Sequence, residues 1–187
     1  MTARIAVDID STLHHYWDTL TEVCRVELGV ELADAERFAR GDAGICESEL
    51  ERAVAISQTD PYILAAEPYP DAIEVIAGWR RAGCAIHIAT HRPPRARPAT
   101  AAWLARIGLE YDELDCSSDK IEHCVAGGIG ILIDDQPDNL ERALAAGLRA
   151  AALRHPWNRE LCARLPVLAA DSWRELGAVL APLLAGQ

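Results

Sequence analysis

Short apolar runs alternate along the chain with longer stretches of helical repeat. Residues 4–10 (RIAVDID) form a β-branched apolar run ending in carboxylates, which predicts a buried parallel strand. The period then changes. Leu13, Trp17, Leu20, Val23 or Cys24, and Leu28 fall at helical spacing, and Gly29 can end that helix. Residues 31–58 are polar, Ala-rich and helical in pattern, with breaks near Gly41 and Gly44. Pro61, Pro68 and Pro70 crowd the next stretch and mark the return from a small helical insert. After Pro70 the pattern is regular. It predicts a helix over 71–82, with Asp71 as cap or first-turn charge and Gly83 as stop, and then a strand over 84–90 (CAIHIAT). A helix over 96–107 follows a proline-rich turn, a short strand lies within 109–116, and a short helix over 118–126 stops at Gly127 and Gly128. The strand 129–134 (IGILID), a helix over 137–146 that starts at a proline, a weaker strand over 148–153 and a closing helix over 172–184 complete the series.

Such alternation predicts an α/β fold: a three-layer, Rossmann-like core of about five parallel strands, a mean sheet size, with helices on both faces. The helical insert makes a cap after the first strand. The expected boundaries are 1–13 and 69–187 for the core and 14–68 for the cap. No internal repeat or low-complexity segment interrupts the pattern.

Composition agrees with this picture. The chain has 187 residues, 50% hydrophobic and 25% charged, which excludes wholesale disorder, collagen-like repeats and a bare coiled coil. A net charge of −11 argues against a nucleic-acid polymer as partner, since no excess of cations exists to displace counterions. A small anionic ligand remains compatible if a metal ion and a few local cations mask the carboxylates. The six cysteines form no C-x-x-C pair and several sit in apolar runs, as reduced, buried thiols of a cytoplasmic protein would. No signal peptide is evident, and no apolar run reaches the ~18 residues of a membrane span. A small anionic ligand is therefore the partner that the charge leaves open, with no membrane; a homodimer stays open.

Open α/β sheets bind ligands beyond the carboxyl ends of their strands. The first strand ends in Asp8, Asp10, Ser11 and Thr12, and the second in Thr90, His91 and Arg92. Ser117, Ser118, Asp119 and Lys120 follow the third; Asp134 and Asp135, with Asp138 nearby, follow the fourth. Crowded carboxylates raise one another's pKa, and a divalent cation relieves this. Hard oxygen ligands without a His or Cys partner suit Mg²⁺. The metal then attracts a phosphate that the bare acidic site would repel, Lys120 can hold a phosphate oxygen, and Thr90 can donate its hydroxyl to another. A carboxylate can act as nucleophile and form an aspartyl-phosphate. A second carboxylate two residues on can protonate the leaving alkoxide and later deprotonate water.

The ordered set D-x-D-x-T, strand-end Thr, Lys and D-D resembles the haloacid dehalogenase (HAD) superfamily. Its motifs stand here as Asp8/Asp10/Thr12, Thr90, Lys120 and Asp134/Asp135, spanning residues 5–140. The resemblance implies that Asp8 is nucleophile and Mg²⁺ ligand. It implies that Asp10 is the general acid/base and lends its backbone carbonyl to the metal. Thr90 and Lys120 would bind the transferring phosphoryl group, and Asp134 and Asp135 would anchor Mg²⁺. Asp10 favours phosphatase chemistry, because dehalogenases proper lack this second Asp. Ser11 stands where the family commonly has Gly, which puts the geometry of that turn in question.

Within the superfamily, I-D-D-Q-P-D-N-L at 133–140 and H-P-W-N-R at 155–159 resemble the 5'(3')-deoxyribonucleotidase branch, the type C nucleotidases. In that branch an aromatic residue of the first cap helix stacks on the nucleobase, and Tyr16 stands at the matching offset. The implied activity is hydrolysis of nucleoside 5'(3')-monophosphates. A sugar phosphate or other small phosphometabolite is the alternative substrate. A non-catalytic phospho-ligand or partner module is the alternative class, against which Asp10 argues, since a binder does not need it. At single positions, Arg92 is expected to pair bidentately with phosphate and His91 to reach the substrate. Trp17 fits the apolar stripe of the cap helix, one of His14 and His15 lines the pocket, and His87 is structural. Asp119 and Asp138 suit helix starts. Trp157 packs under the site or steadies a loop beside it.

Overall fold

The computed structural model describes residues 3–184. Its strands are β1 (Arg4–Val7), β2 (Ala85–Thr90), β3 (Glu113–Cys116), β4 (Ile131–Ile133), β5 (Arg149–Leu153) and β6 (Leu168–Ala170). Its α-helices are α1 (Tyr16–Val23), α2 (Ala35–Ala39), α3 (Glu47–Ser57), α4 (Asp60–Ala65), α5 (Ala72–Arg81) and α6 (Arg97–Arg106), then α7 (Lys120–Ala126), α8 (Pro137–Ala145), α9 (Arg159–Arg164) and α10 (Trp173–Leu184). The strands form one parallel sheet in the order β3-β2-β1-β4-β5-β6. The chain winds outward from β1 to β3, then returns to lay β4 against the other side of β1. That reversal between β1 and β4 opens a crevice at their carboxyl ends, where sheets of this kind bind ligands.

Alternation along the strands sorts the two faces. Ile5 and Val7 of β1, Ile86 and Ile88 of β2, and Ile131 and Ile133 of β4 pack with Ile76 and Trp79 of α5, Trp103 and Leu104 of α6, and Trp173, Leu176 and Leu180 of α10. Ala6, Ala89 and Leu132 face the other way, onto Ile121 and Cys124 of α7 and Ala143 of α8. Both faces of the central strands are therefore covered, which explains their nearly continuous apolar sequences. The expected three layers are present, with six strands rather than about five.

The insert begins and ends at one place: His14 bridges Pro68. Its helices α1 and α3 bury Leu20, Val23, Cys24 and Ala53 in a small core of their own. Trp103 of α6 donates its indole N–H to the carbonyl of Ala66 at 2.9 Å, fixing the return of the insert to the sheet domain.

Several local expectations are corrected. The first cap helix begins at Tyr16, so Leu13 belongs to the preceding turn, and its last turn, Cys24–Leu28, widens to π geometry before Gly29 stops it at φ 67°. The proline-rich return contains α4, which Pro61 helps to start. Asp71 does not cap α5 with its side chain; it sits at φ 63° and pairs with Arg174 of α10 at 2.9 Å. Asp119 likewise makes no side-chain cap on α7. Residues 154–171, where periodicity predicts no element, contain α9 and β6. No helix among the described residues is long and apolar enough to cross a membrane.

Candidate active site

Asp8 follows β1 and Asp134 follows β4, and both extend their strands by one ladder bond. The Asp8 N–H reaches the Ile133 carbonyl at 2.9 Å, and the Asp134 N–H reaches that of Ala151 at 3.1 Å. The backbone itself therefore sets the two carboxylates side by side. Carboxylate oxygens of Asp8, Asp134 and Asp135 all lie within 4.8 Å of one another. Lys120, at the start of α7, bridges two of them, with Nζ 2.6 Å from Asp8 Oδ1 and 2.7 Å from Asp134 Oδ2. Asp134 also accepts the Gln136 N–H at 2.9 Å and the Asn139 amide at 3.1 Å.

Three buried carboxylates thus crowd around one ammonium, which bonds two of them. Burial pushes Asp8 up to about 7, with the Asp134 charge adding to the rise and Lys120 opposing it. Burial also lifts Asp135 well above the usual carboxylate range, reinforced by the charges of Asp134 and Asp8. For Lys120, burial works against the charged form, but Asp134 and Asp8 outweigh it and hold the proton firmly.

Asp10 lives in different surroundings. Arg92 Nη2 lies 2.7 Å from Asp10 Oδ1, and His14 Nε2 lies 2.8 Å from the same oxygen. Burial works to raise the Asp10 pKa, yet Arg92 and His14 prevail and hold the carboxyl well below the usual range. Arg92 is itself buried, against Thr100 and over the Trp103 ring. It pairs with Asp10 as a brace and is not among the cavity-lining residues, whereas phosphate pairing is expected of it. His14 is buried in the same brace, and neither of the two hinge histidines lines the cavity; His15 packs on the Tyr69 ring. Thr90 ends β2, buried, with Oγ1 accepting the Arg92 N–H at 3.3 Å, and it too is not among the cavity-lining residues. Ser11 makes the turn after Asp10 at φ 58°, so the left-handed conformation usual for Gly is adopted here by Ser. His87 pairs with Glu113 across β2 and β3, in keeping with a structural role.

Above the carboxylates lies a cavity of about 340 Å³. Asp8, Asp10, Lys120 and Asp135 are at its base, and Tyr16, Trp17, Phe38 and Trp157 supply aromatic walls. Tyr16 is fixed by a 2.9 Å hydrogen bond between its hydroxyl and Ser57 of α3. Trp17, expected in the cap core, instead lines the cavity between Phe38 and Trp157, with ring centroids 4.9 and 5.7 Å away. His91 also lines the cavity, and burial with the nearby Lys120 charge lowers its pKa.

No protein-family model and no curated protein matches the chain. Solved structures do. A haloacid dehalogenase-like family hydrolase from Streptococcus pneumoniae superposes with TM-score 0.68 at 18% identity, covering 97% of this chain and 98% of that one. A predicted phosphatase from Clostridium acetobutylicum gives TM-score 0.71 at 15% identity, covering 97% and 99%. CbbY from Rhodobacter sphaeroides, solved with xylulose-(1,5)bisphosphate, gives TM-score 0.63 at 17% identity, covering 96% and 99%. The fold is that of the haloacid dehalogenase-like hydrolases.

On this haloacid dehalogenase-like core, the donor set fits a divalent cation. It consists of hard carboxylate oxygens, and its negative charge exceeds what Lys120 neutralises. Asp135 Oδ2 already accepts N–H bonds from Gln136 and Trp157, each at 3.0 Å, while no donor among the described residues engages its Oδ1. Two contributors to which the sequence assigns no role are Asn139 and Asn158, whose side-chain amide donates to the Asp135 carbonyl at 2.9 Å. Asn139 lies in the first turn of α8, within the I-D-D-Q-P-D-N-L run, so its closeness to Asp134 is readable. Asn158 depends on contact with a residue 23 positions away in the chain, which no local pattern encodes.

Proposed function

We propose that the protein is a Mg²⁺-dependent phosphomonoester hydrolase that works through an aspartyl-phosphate on Asp8, with nucleoside monophosphates as the favoured substrate class. The observation that carries this reading is the position of the Asp8 carboxylate. It lies at the β1/β4 crevice, bonded to Lys120 at 2.6 Å, beside Asp134 and Asp135, at the base of an aromatic-walled cavity. Asp8, Asp134 and Asp135 would hold Mg²⁺, which would offset the charge between them and an incoming phosphate and polarise a phosphate oxygen.

Asp8 attacks phosphorus, the bond to the ester oxygen breaks, and Asp10 gives that oxygen a proton. Water then attacks the aspartyl-phosphate, Asp10 takes its proton, and phosphate leaves with the Asp8 carboxylate restored. Lys120 keeps its charge throughout and stabilises the negative oxygens of each transition state. The brace of Arg92 and His14 favours the proton-accepting half of the Asp10 cycle.

Tyr16, Trp17 and Trp157 suit a flat leaving group, such as a nucleobase, since stacking is sequence-tolerant and worth about 1–3 kcal/mol per ring. A sugar phosphate is the second reading, favoured by the likeness to CbbY with its bound xylulose bisphosphate. The test is phosphate release from deoxy- and ribonucleoside monophosphates, sugar phosphates and an aryl phosphate, with Mg²⁺ and with chelator. Chelator-sensitive release biased to nucleotides, abolished in a folded Asp8→Asn protein, is expected. Release from sugar phosphates alone would remove the nucleotide assignment. Normal turnover by Asp8→Asn would remove the mechanism, and no turnover from any ester would leave a phospho-ligand binding module.

A further inference from the structure

Trp157 occupies an unusual place in the β5–α9 loop. Its indole N–H donates to Asp135 Oδ2 at 3.0 Å, so it touches one of the three clustered carboxylates. Its ring lines the cavity and meets Trp17 of the cap at 5.7 Å. One side chain from the core thus reaches both the carboxylate cluster and the wall of the leaving-group space.

The loop that carries it is tightly tied. His155 lies flat on the Trp157 ring, with centroids 4.6 Å apart and planes 8° from parallel, and its Nε2 is 2.7 Å from the Ser11 carbonyl. Asn158 is fully buried, and its amide donates to the carbonyls of Asp135 at 2.9 Å and Leu153 at 3.0 Å. Its Oδ1 accepts the His155 N–H at 2.9 Å, which closes the turn on itself. Each anchor leads to a strand end that carries the site: Ser11 after β1, Asp135 after β4 and Leu153 at the end of β5. A ring held this way has little rotamer freedom.

From this geometry we infer that Trp157 is both a positioning residue for Asp135 and a specificity-determining wall for the leaving group. Its N–H occupies Asp135 Oδ2 and leaves Oδ1 for the metal, and its ring, backed by His155 and beside Trp17, walls the space for a flat leaving group. The inference rests on the hydrolase reading for the identity of the ligands, but its test needs no turnover.

The experiment measures binding by calorimetry on the full chain, first of Mg²⁺ alone, then of phenylphosphonate and methylphosphonate at saturating Mg²⁺. Trp157→Phe keeps an aromatic face and removes the N–H. It should weaken Mg²⁺ about tenfold, as loss of an outer hydrogen-bond partner does, while keeping most of the preference for the phenyl ligand. Trp157→Ala should weaken Mg²⁺ similarly and also lose about tenfold of the phenyl-over-methyl preference, the equivalent of one stacking contact. Trp17→Ala, which leaves the Asp135 bond in place, should lose phenyl preference with Mg²⁺ affinity kept. Wild-type Mg²⁺ affinity in Trp157→Phe, or an unchanged phenyl preference in Trp157→Ala, would overturn the inference. Because phosphonates are not hydrolysed, a protein that binds them as expected but releases no phosphate from esters would refute only the hydrolase reading.

Discussion

Asp8 and Asp10 stand two residues apart on one strand end, yet their surroundings push their protons in opposite directions. Asp8 is lifted by burial among like charges, whereas Asp10 is kept ionised by Arg92 and His14. The same side chain is thus given opposite proton affinities by its surroundings alone. Arg92 gives the sharpest residue-scale prediction. Acting through Asp10 and not on the ligand, Arg92→Lys should lower kcat about tenfold or more, within the range of proton-transfer contributions, with KM little changed. A large rise in KM at constant kcat would restore it to the ligand side. The carboxylates Asp8, Asp10, Asp134 and Asp135 are legible in the sequence, because an apolar run followed by a carboxylate places that carboxylate at a strand end; Lys120 is legible only through its place in the ordered motif set. The partner of Arg92 was not legible, since Asp10 lies 82 residues away in the chain.

At the scale of elements, the cap depends on a few fixed contacts. Tyr16 of α1 is joined to α3 through Ser57 while its ring faces the cavity. Removing only the hydroxyl, as Tyr16→Phe, should cost about 1 kcal/mol of stability, read by urea unfolding, and leave ligand binding near wild type. Tyr16→Ala should raise KM for nucleotides more than for a minimal aryl phosphate; equal effects on both would remove the stacking role. Across the cap–core junction, Arg159 of α9 pairs with Glu36 of α2 at 3.0 Å, but the pair is exposed and contributes little by itself. Periodicity placed the long helices and central strands well, because two-sided burial leaves a strong apolar signal. It missed β6 and α9. β6 is three residues of Leu and Ala at the sheet edge, too short and too bland for a β signature. The α9 segment shows its purpose only when the preceding turn is seen anchored to three strand ends.

For the whole molecule, the carboxylate cluster links stability to pH and metal. Asp8 rises to about 7 in the folded chain, and Asp135 rises well above its ordinary value, against about 3.9 for an unfolded Asp. A raised carboxyl binds its proton more tightly in the folded state. Its contribution is therefore intact below about pH 4 and is lost as pH climbs toward 7. Mg²⁺, held as proposed, would bind the ionised groups and offset that loss. The rise in Tm caused by Mg²⁺ should accordingly grow from about pH 5 to about pH 8, measured by thermal unfolding with metal and with chelator. A rise that stays flat across that range would disconnect the cluster from the metal.

The sequence by itself determined the α/β class, the insertion of a helical cap after the first strand, and the placing of Asp8, Asp10, Asp134 and Asp135 at strand ends. These follow from local periodicity and from chain direction, which make every parallel strand end on the same rim. Only the tertiary structure decided that Arg92 braces Asp10, that Trp17 faces the cavity, and that Trp157 joins Asp135 to the cap. Those outcomes depend on how segments far apart in the chain approach one another. A buried guanidinium or indole N–H bonds whichever acceptor the packed fold brings within reach, and residue type alone does not name that acceptor.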